Sequence, residues 1–218
     1  MRALSQPRPV DSAVLGMVRE GRQARDILSL VAGTSKSRFN RQVARLLLKT
    51  GANPTTHLGN ASMGGEHGFK FLAKYSRASN AITMTEGALR QAEQIFLHEM
   101  IHAATLKALD RKGLQSLQMR RLYEHVKKQG GADLLSQYGM KNVGEFVAEA
   151  FTNPQFQRAL RQMDAPSGGG LKSAWDGFVR ILRSILGLPQ DGHDALSQAL
   201  QIGVAVMRDQ YRIGNRGE

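Results

Sequence analysis

From Val10 to Lys49 apolar side chains recur three and four residues apart: Leu15 and Val18, then Ile27, Leu28 and Val31, then Val43, Leu46 and Leu47. This spacing predicts two or three amphipathic helices. Gly33 to Ser37 interrupts them, and Thr50-Gly51-Ala52-Asn53-Pro54 closes the last with a helix-ending Gly and a following Pro. Residues 55–84 change character, being rich in Gly, Thr, Ser and Asn, with short runs at Phe69–Leu72 and Ala81–Met84 that suit strands. The pattern turns helical again from about Glu86 to Leu109, and Thr83-x-x-Glu86 has the form of a capping box.

Further helices are predicted at Gln115–Gln129, at Ala132–Tyr138 after the Gly130-Gly131 break, and at Val143–Phe151, which Asn153-Pro154 stops. Asp164 to Gly170 has the composition of a flexible linker. Two more amphipathic helices follow, Ser173–Leu186 and Asp194–Tyr211. The order reads as α+β, divided into a basic helical region (1–50), a core (51–163), a Gly-rich linker (164–172) and a C-terminal helical pair (173–218).

Composition narrows the chemistry. The chain has no cysteine, which excludes disulfide scaffolds, thiol nucleophiles and any zinc site built on Cys. A metal site would have to use His and carboxylate. The net charge is +12, and its distribution is uneven. Residues 1–50 carry ten basic and three acidic side chains, whereas residues 51–110 carry five of each. The basic flank is therefore separate from the neutral middle of the chain; it reads as a solvated helix face with nonspecific affinity for polyanions, or as a nucleic-acid contact. No signal peptide or membrane span is visible, so a cytoplasmic location, in a host cell or a virion, is expected.

The 86–109 helix is apolar nearly all round except at His98, Glu99 and His102, and a helix of that kind is buried. Burying two imidazoles and a carboxylate is costly unless something pairs with them. His98-Glu99-Met100-Ile101-His102 is the HExxH pattern. Residues four apart share a helix face, so both imidazoles can reach one metal ion while Glu99 stands beside it as a general base.

Two His leave a catalytic zinc site one protein ligand short. A metzincin would have Gly and His at positions 105 and 108, which are Thr105 and Ala108, and base deaminases need paired cysteines. The remaining class takes a Glu from a later helix. Glu145 and Glu149 are the acidic pair there, four apart on one face: one for the metal, the other to accept a hydrogen bond from a ligating His.

The stretch Tyr138-Gly139-Met140-Lys141-Asn142-Val143-Gly144-Glu145-Phe146-Val147-Ala148-Glu149-Ala150-Phe151 resembles the zinc-ligand helix of the gluzincin metallopeptidases, in particular the lethal factor-like branch. Asn153-Pro154-x-Phe156 and the segment from Trp175 to Leu188 are similar to peptidase domains of phages and of polyvalent proteins of mobile elements. The resemblance implies a zincin-like fold, with a small sheet packed on the HExxH helix and a mainly helical C-terminal lobe. It also implies one Zn2+ per chain, with His98, His102 and Glu145 as ligands, Glu149 behind them, and Glu99 and Tyr138 in catalysis. The implied activity is endopeptidase cleavage of protein or peptide substrates. In similar enzymes the strand before the zinc helix binds extended peptide along a sheet edge, which here falls on Ile82, Thr83 and Met84.

The alternatives are a basic, nucleic-acid-associated or virion-packaged protein with a structural or latent zinc site, and a toxin with the same chemistry and a different target. His67 reads as a solvent-facing turn residue, His57 and His193 as loop residues without partners, and His125 as part of a solvated face beside Glu124, Lys127 and Lys128.

Overall fold

The computed structural model describes residues 9–60, 72–129, 138–165 and 173–186. The chain divides into two compact units, Met1–Ala104 and Thr105–Glu218.

The first unit opens with three helices, α1 (Pro9–Arg19), α2 (Ala24–Thr34) and α3 (Arg38–Lys49). Their apolar stripes are the buried faces: Val14, Leu15 and Val18 on α1, Ile27, Leu28 and Val31 on α2, and Phe39, Val43, Leu46 and Leu47 on α3. Chain breaks fall where the local chemistry requires them. Asn53 Oδ1 accepts the Arg25 amide at 3.0 Å and Pro54 O accepts the Ala24 amide at 3.1 Å, so the loop after α3 caps the start of α2. Ser37 caps α3 through the Asn40 amide at 3.2 Å. Past the Thr50 C-cap, Gly51 takes φ 73°, the left-handed conformation that Gly adopts without steric cost.

Three strands follow, β1 (Thr55–Gly59), β2 (Ala73–Ser76) and β3 (Ala81–Thr85), in the order β1-β3-β2. β1 pairs with β3 in parallel, Thr55 opposite Ala81, and β2 pairs with it antiparallel, Tyr75 opposite Ile82. The β2–β3 turn uses Asn80 at φ 46°, a conformation that Asn tolerates among non-Gly residues.

Beyond β3 the helical pattern is split. A 3-10 segment, Glu86–Arg90, comes first, and α4 runs from Ala92 to Asp110. The capping box at Thr83 does not form. Thr83 lies within β3, and the residue before the 3-10 segment is Thr85, whose amide and hydroxyl both go to Leu72 O (2.9 and 3.3 Å). Strand pairing has taken the groups a cap would use. The start of α4 is instead held from α1: Asp11, fully buried, accepts the Glu93 amide at 2.9 Å. A carboxylate at a helix N-terminus satisfies an orphan donor and suits the helix dipole.

The second unit packs α5 (Leu114–Lys128), α6 (Val143–Thr152), α7 (Pro154–Gln162) and α8 (Ala174–Ile185). Phe146 of α6 is its hub, with ring centroids of Tyr123, Phe156 and Phe178 at 5.7, 5.6 and 6.2 Å. Trp175 stacks on Phe178, and the Arg161 guanidinium lies over the Trp175 ring, 4.6 Å from its centroid, where burial pulls the guanidinium pKa down. α8 begins with a capping box between Ser173 and Asp176. α7 is a departure from the sequence pattern. Asn153-Pro154 ends α6 and also starts α7, because Asn153 accepts the amides of Gln155 and Phe156 while Pro stands at the first helical turn, where no amide is needed.

The architecture is thus α+β, mainly helical, with a small three-stranded sheet. Among the described residues no helix is long and apolar enough to cross a membrane. The expected helix at Ala132–Tyr138, apart from Tyr138 itself, the expected helix at Asp194–Tyr211, the Phe69–Phe71 part of a strand, most of the 164–172 linker, His67 and His193 lie outside the described residues.

Candidate metal centre

His98, Glu99 and His102 sit near the middle of α4. The i, i+4 spacing puts the two imidazoles one turn apart, with ring centroids 4.9 Å from each other and planes at 75°. His98 is half-buried, and Glu99 and His102 are buried. Glu145 stands at the third position of α6, also half-buried, its amide capped by Asn142 Oδ1 at 3.0 Å. One ligand atom from each of His98, His102 and Glu145 lies within 4.8 Å of the other two.

Glu99 is positioned by a group with no signature in the sequence. Its Oε2 accepts the backbone N–H of Tyr75 at 2.7 Å. Tyr75 is on β2, an edge strand, at a position whose N–H points away from β3. The edge amide therefore spends itself on the carboxylate rather than on a further strand. The Tyr75 hydroxyl donates to Asn80 Oδ1 at 3.1 Å, and burial raises its pKa, so it stays protonated at neutral pH.

One turn beyond Glu145, Glu149 accepts a hydrogen bond from Asn153 Nδ2 at 2.8 Å. Tyr138 opens the turn 138–140 and is 45% exposed. Behind it, Gly139 packs so closely that a Cβ would stand 2.4 Å from Phe156 Cε2 and 3.0 Å from Glu149 Cβ. Met140 O then receives the buried Tyr123 hydroxyl at 2.8 Å, which fixes the turn to α5.

The proposed docking of a peptide strand on Ile82, Thr83 and Met84 is corrected by the topology. β3 is the middle strand, with β1 on one side and β2 on the other, so neither of its edges is open along these residues. Ile82 and Met84 are also fully buried and belong to the core. The reason is the parallel return of β1 to β3, which short strands of this composition do not announce. His57 is corrected as well: it lies in β1 rather than a loop, with Nε2 3.2 Å from Thr55 Oγ1. His125 is half-buried, with Nε2 near Gln129 Nε2 (2.7 Å) and Asp164 O (3.0 Å).

Sequence reasoning missed Asp11, Tyr75, Gly139 and Asn153 as positioning residues. Only Asn153 carried a readable signal, since Asn before Pro is a helix-starting pair as much as a helix stop. No protein-family model matches the chain, and no match to it was found among curated proteins or solved structures.

Proposed function

We propose that the chain is a zinc-dependent endopeptidase of zincin-like, gluzincin type, cutting protein or peptide substrates. The observation that carries this reading is the gathering of His98, His102 and Glu145 within 4.8 Å, with Glu99 adjacent on the same helix. Two imidazoles and one carboxylate are a donor set for catalytic zinc that keeps a position open. Tetrahedral zinc with bonds of about 2.0–2.2 Å sets ligand atoms roughly 3.3–3.6 Å apart, so modest side-chain rotation draws this set together.

Bound there, zinc would supply a Lewis acid that polarises a scissile carbonyl and acidifies water. Glu99 takes the proton from the attacking water as the C–O bond forms, and delivers it to the amide nitrogen as the C–N bond breaks. The Tyr75 amide holds one oxygen of Glu99 in place for this transfer. Tyr138 would donate from its hydroxyl to the developing oxyanion, a contribution of about 2.7–4 kcal/mol for one such donor. Glu149 would receive the outer ring N–H of a ligating His and so set its tautomer.

The test is cleavage of a mixed peptide library with and without chelator, for the parent chain and Glu99→Gln. The expected result is cutting that chelator abolishes, and a variant that keeps zinc yet does not cut. Turnover that survives chelator, or that Glu99→Gln leaves intact, contradicts the proposal.

A further inference from the structure

We infer that α2, the three-residue connector Ser35-Lys36-Ser37 and α3 form a helix-turn-helix that docks on duplex DNA, with α3 as the helix facing the groove. The connection has the length of that motif, two helices joined by a tight turn. The second helix, RFNRQVARLLLK, holds Arg38, Arg41, Arg45 and Lys49 and no carboxylate. At about 100° per residue these four fall within an arc of roughly 80°, and at 1.5 Å per residue they span about 16 Å. The result is a single basic stripe along one face. Arg38, Arg45 and Lys49 are exposed, as is Lys36 in the connector. Arg41 is half-buried and donates to Ser35 O, bracing the turn.

Few acidic side chains accompany the stripe within residues 1–50, three against ten basic ones. Of the three carboxylates in residues 1–50, Asp11 is buried and Glu20 is paired with Arg22 at 3.0 Å, leaving Asp26 on the other helix. Arg19 pairs with Glu86 and Arg22 with Glu20, and neither pair includes Arg38, Arg45 or Lys49.

The occupant follows from what the face lacks. Single-stranded nucleic acid needs aromatic platforms, and the one aromatic of α3, Phe39, is 8% exposed and packed inward. A helix that lies in a membrane interface inserts an apolar face, and the apolar side of α3 is buried, so insertion is not open to it. Duplex phosphates need clustered positive charge alone, and the major groove of B-DNA admits an α-helix whereas that of A-form RNA does not.

The experiment measures binding of the full chain to a fluorescent 20-base-pair DNA duplex as salt is varied. It compares the parent, Arg38→Gln/Arg45→Gln/Lys49→Gln, and a charge-matched control, Lys112→Gln/Arg121→Gln/Lys128→Gln. With a slope of about 0.9 per phosphate contact, the α3 variant should lose about 2.7 from the log–log salt slope and bind about 500-fold more weakly at 0.1 M salt. The control should lose far less, and Glu99→Gln should leave DNA affinity unchanged whether or not the chain is a peptidase. Single substitutions at 38, 45 and 49, each lowering the slope by about 0.9, give the same answer if the triple variant folds poorly. Equal losses in the α3 variant and the control, or tighter binding to anionic phosphatidylserine vesicles or to single strands than to duplex, would overturn the inference.

Discussion

Asn153 joins two helices and reaches the carboxylate behind the proposed metal ligand, so its removal has a calculable cost. Its Oδ1 accepts the Gln155 amide at 2.9 Å and the Phe156 amide at 3.3 Å, and its Nδ2 donates to Glu149 at 2.8 Å. Losing an N-cap of this type costs about 1 kcal/mol. A hydrogen bond to an ionised group is worth about 1.5–3 kcal/mol, but Glu149 is half-buried and water can partly replace the donor, so about 1 kcal/mol is the fairer figure. Asn153→Ala should therefore destabilise the chain by about 2 kcal/mol, or roughly 4–8 °C in Tm for a chain of this size. Asn153→Ser keeps a capping oxygen and loses only the contact to Glu149, so it should cost about 1 kcal/mol. Equilibrium urea unfolding of the three proteins measures the differences. Equal losses for Ala and Ser would refute the claim that Asn153 caps α7, and a loss below about 0.5 kcal/mol for Ala would refute both contributions.

Three other outcomes follow. Asp11→Ala removes a buried, charge-assisted cap on α4 and should cost about 1.5–3 kcal/mol by urea unfolding, with Asp11→Asn recovering part of it; a neutral Ala variant would mean α4 starts without help from α1. Gly139→Ala puts a methyl group against Phe156 and Glu149 and should cost about 1–3 kcal/mol from overpacking, although Gly139 has no positive φ to lose; unchanged stability would mean the turn relaxes freely. The Arg19–Glu86 pair, with hydrogen bonds of 2.8 and 2.5 Å, holds the Glu86 carboxyl below its usual range. A lowered folded pKa stabilises above the unfolded value of about 4.3 and is lost as pH falls through the folded one. Glu86→Gln should thus be slightly less stable than the parent at pH 7 and low salt, with the gap closing in acid and in high salt, because both side chains are about half exposed. A gap that persists in acid would assign the effect to packing.

What could be read in the sequence was whatever repeats or spans a fixed interval. The three N-terminal helices were legible because Leu15, Ile27, Leu28, Val43 and Leu47 keep a 3.6-residue rhythm, and HExxH was legible because four residues make one turn. β2 was not, since Ala73–Ser76 is four residues without strong alternation and gains its identity from pairing with β3. The break at Gln91 was hidden for a related reason: a 3-10 segment and an α-helix share apolar spacing over one turn. Glu145 and Glu149 were legible as a pair, but choosing between them took the resemblance to gluzincins. Asp11 and the Tyr75 amide act across 82 and 24 residues, and a backbone N–H has no letter of its own.

The central claim is that His98, His102 and Glu145 hold one zinc ion. Anomalous diffraction at the zinc edge from crystals grown with stoichiometric zinc, supported by elemental analysis of the parent and Glu145→Ala, tests it directly. The account predicts one peak per chain within about 2.0–2.2 Å of an atom from each of the three side chains, and loss of zinc from Glu145→Ala. A peak that excludes Glu145, or full zinc stoichiometry in Glu145→Ala, would contradict it.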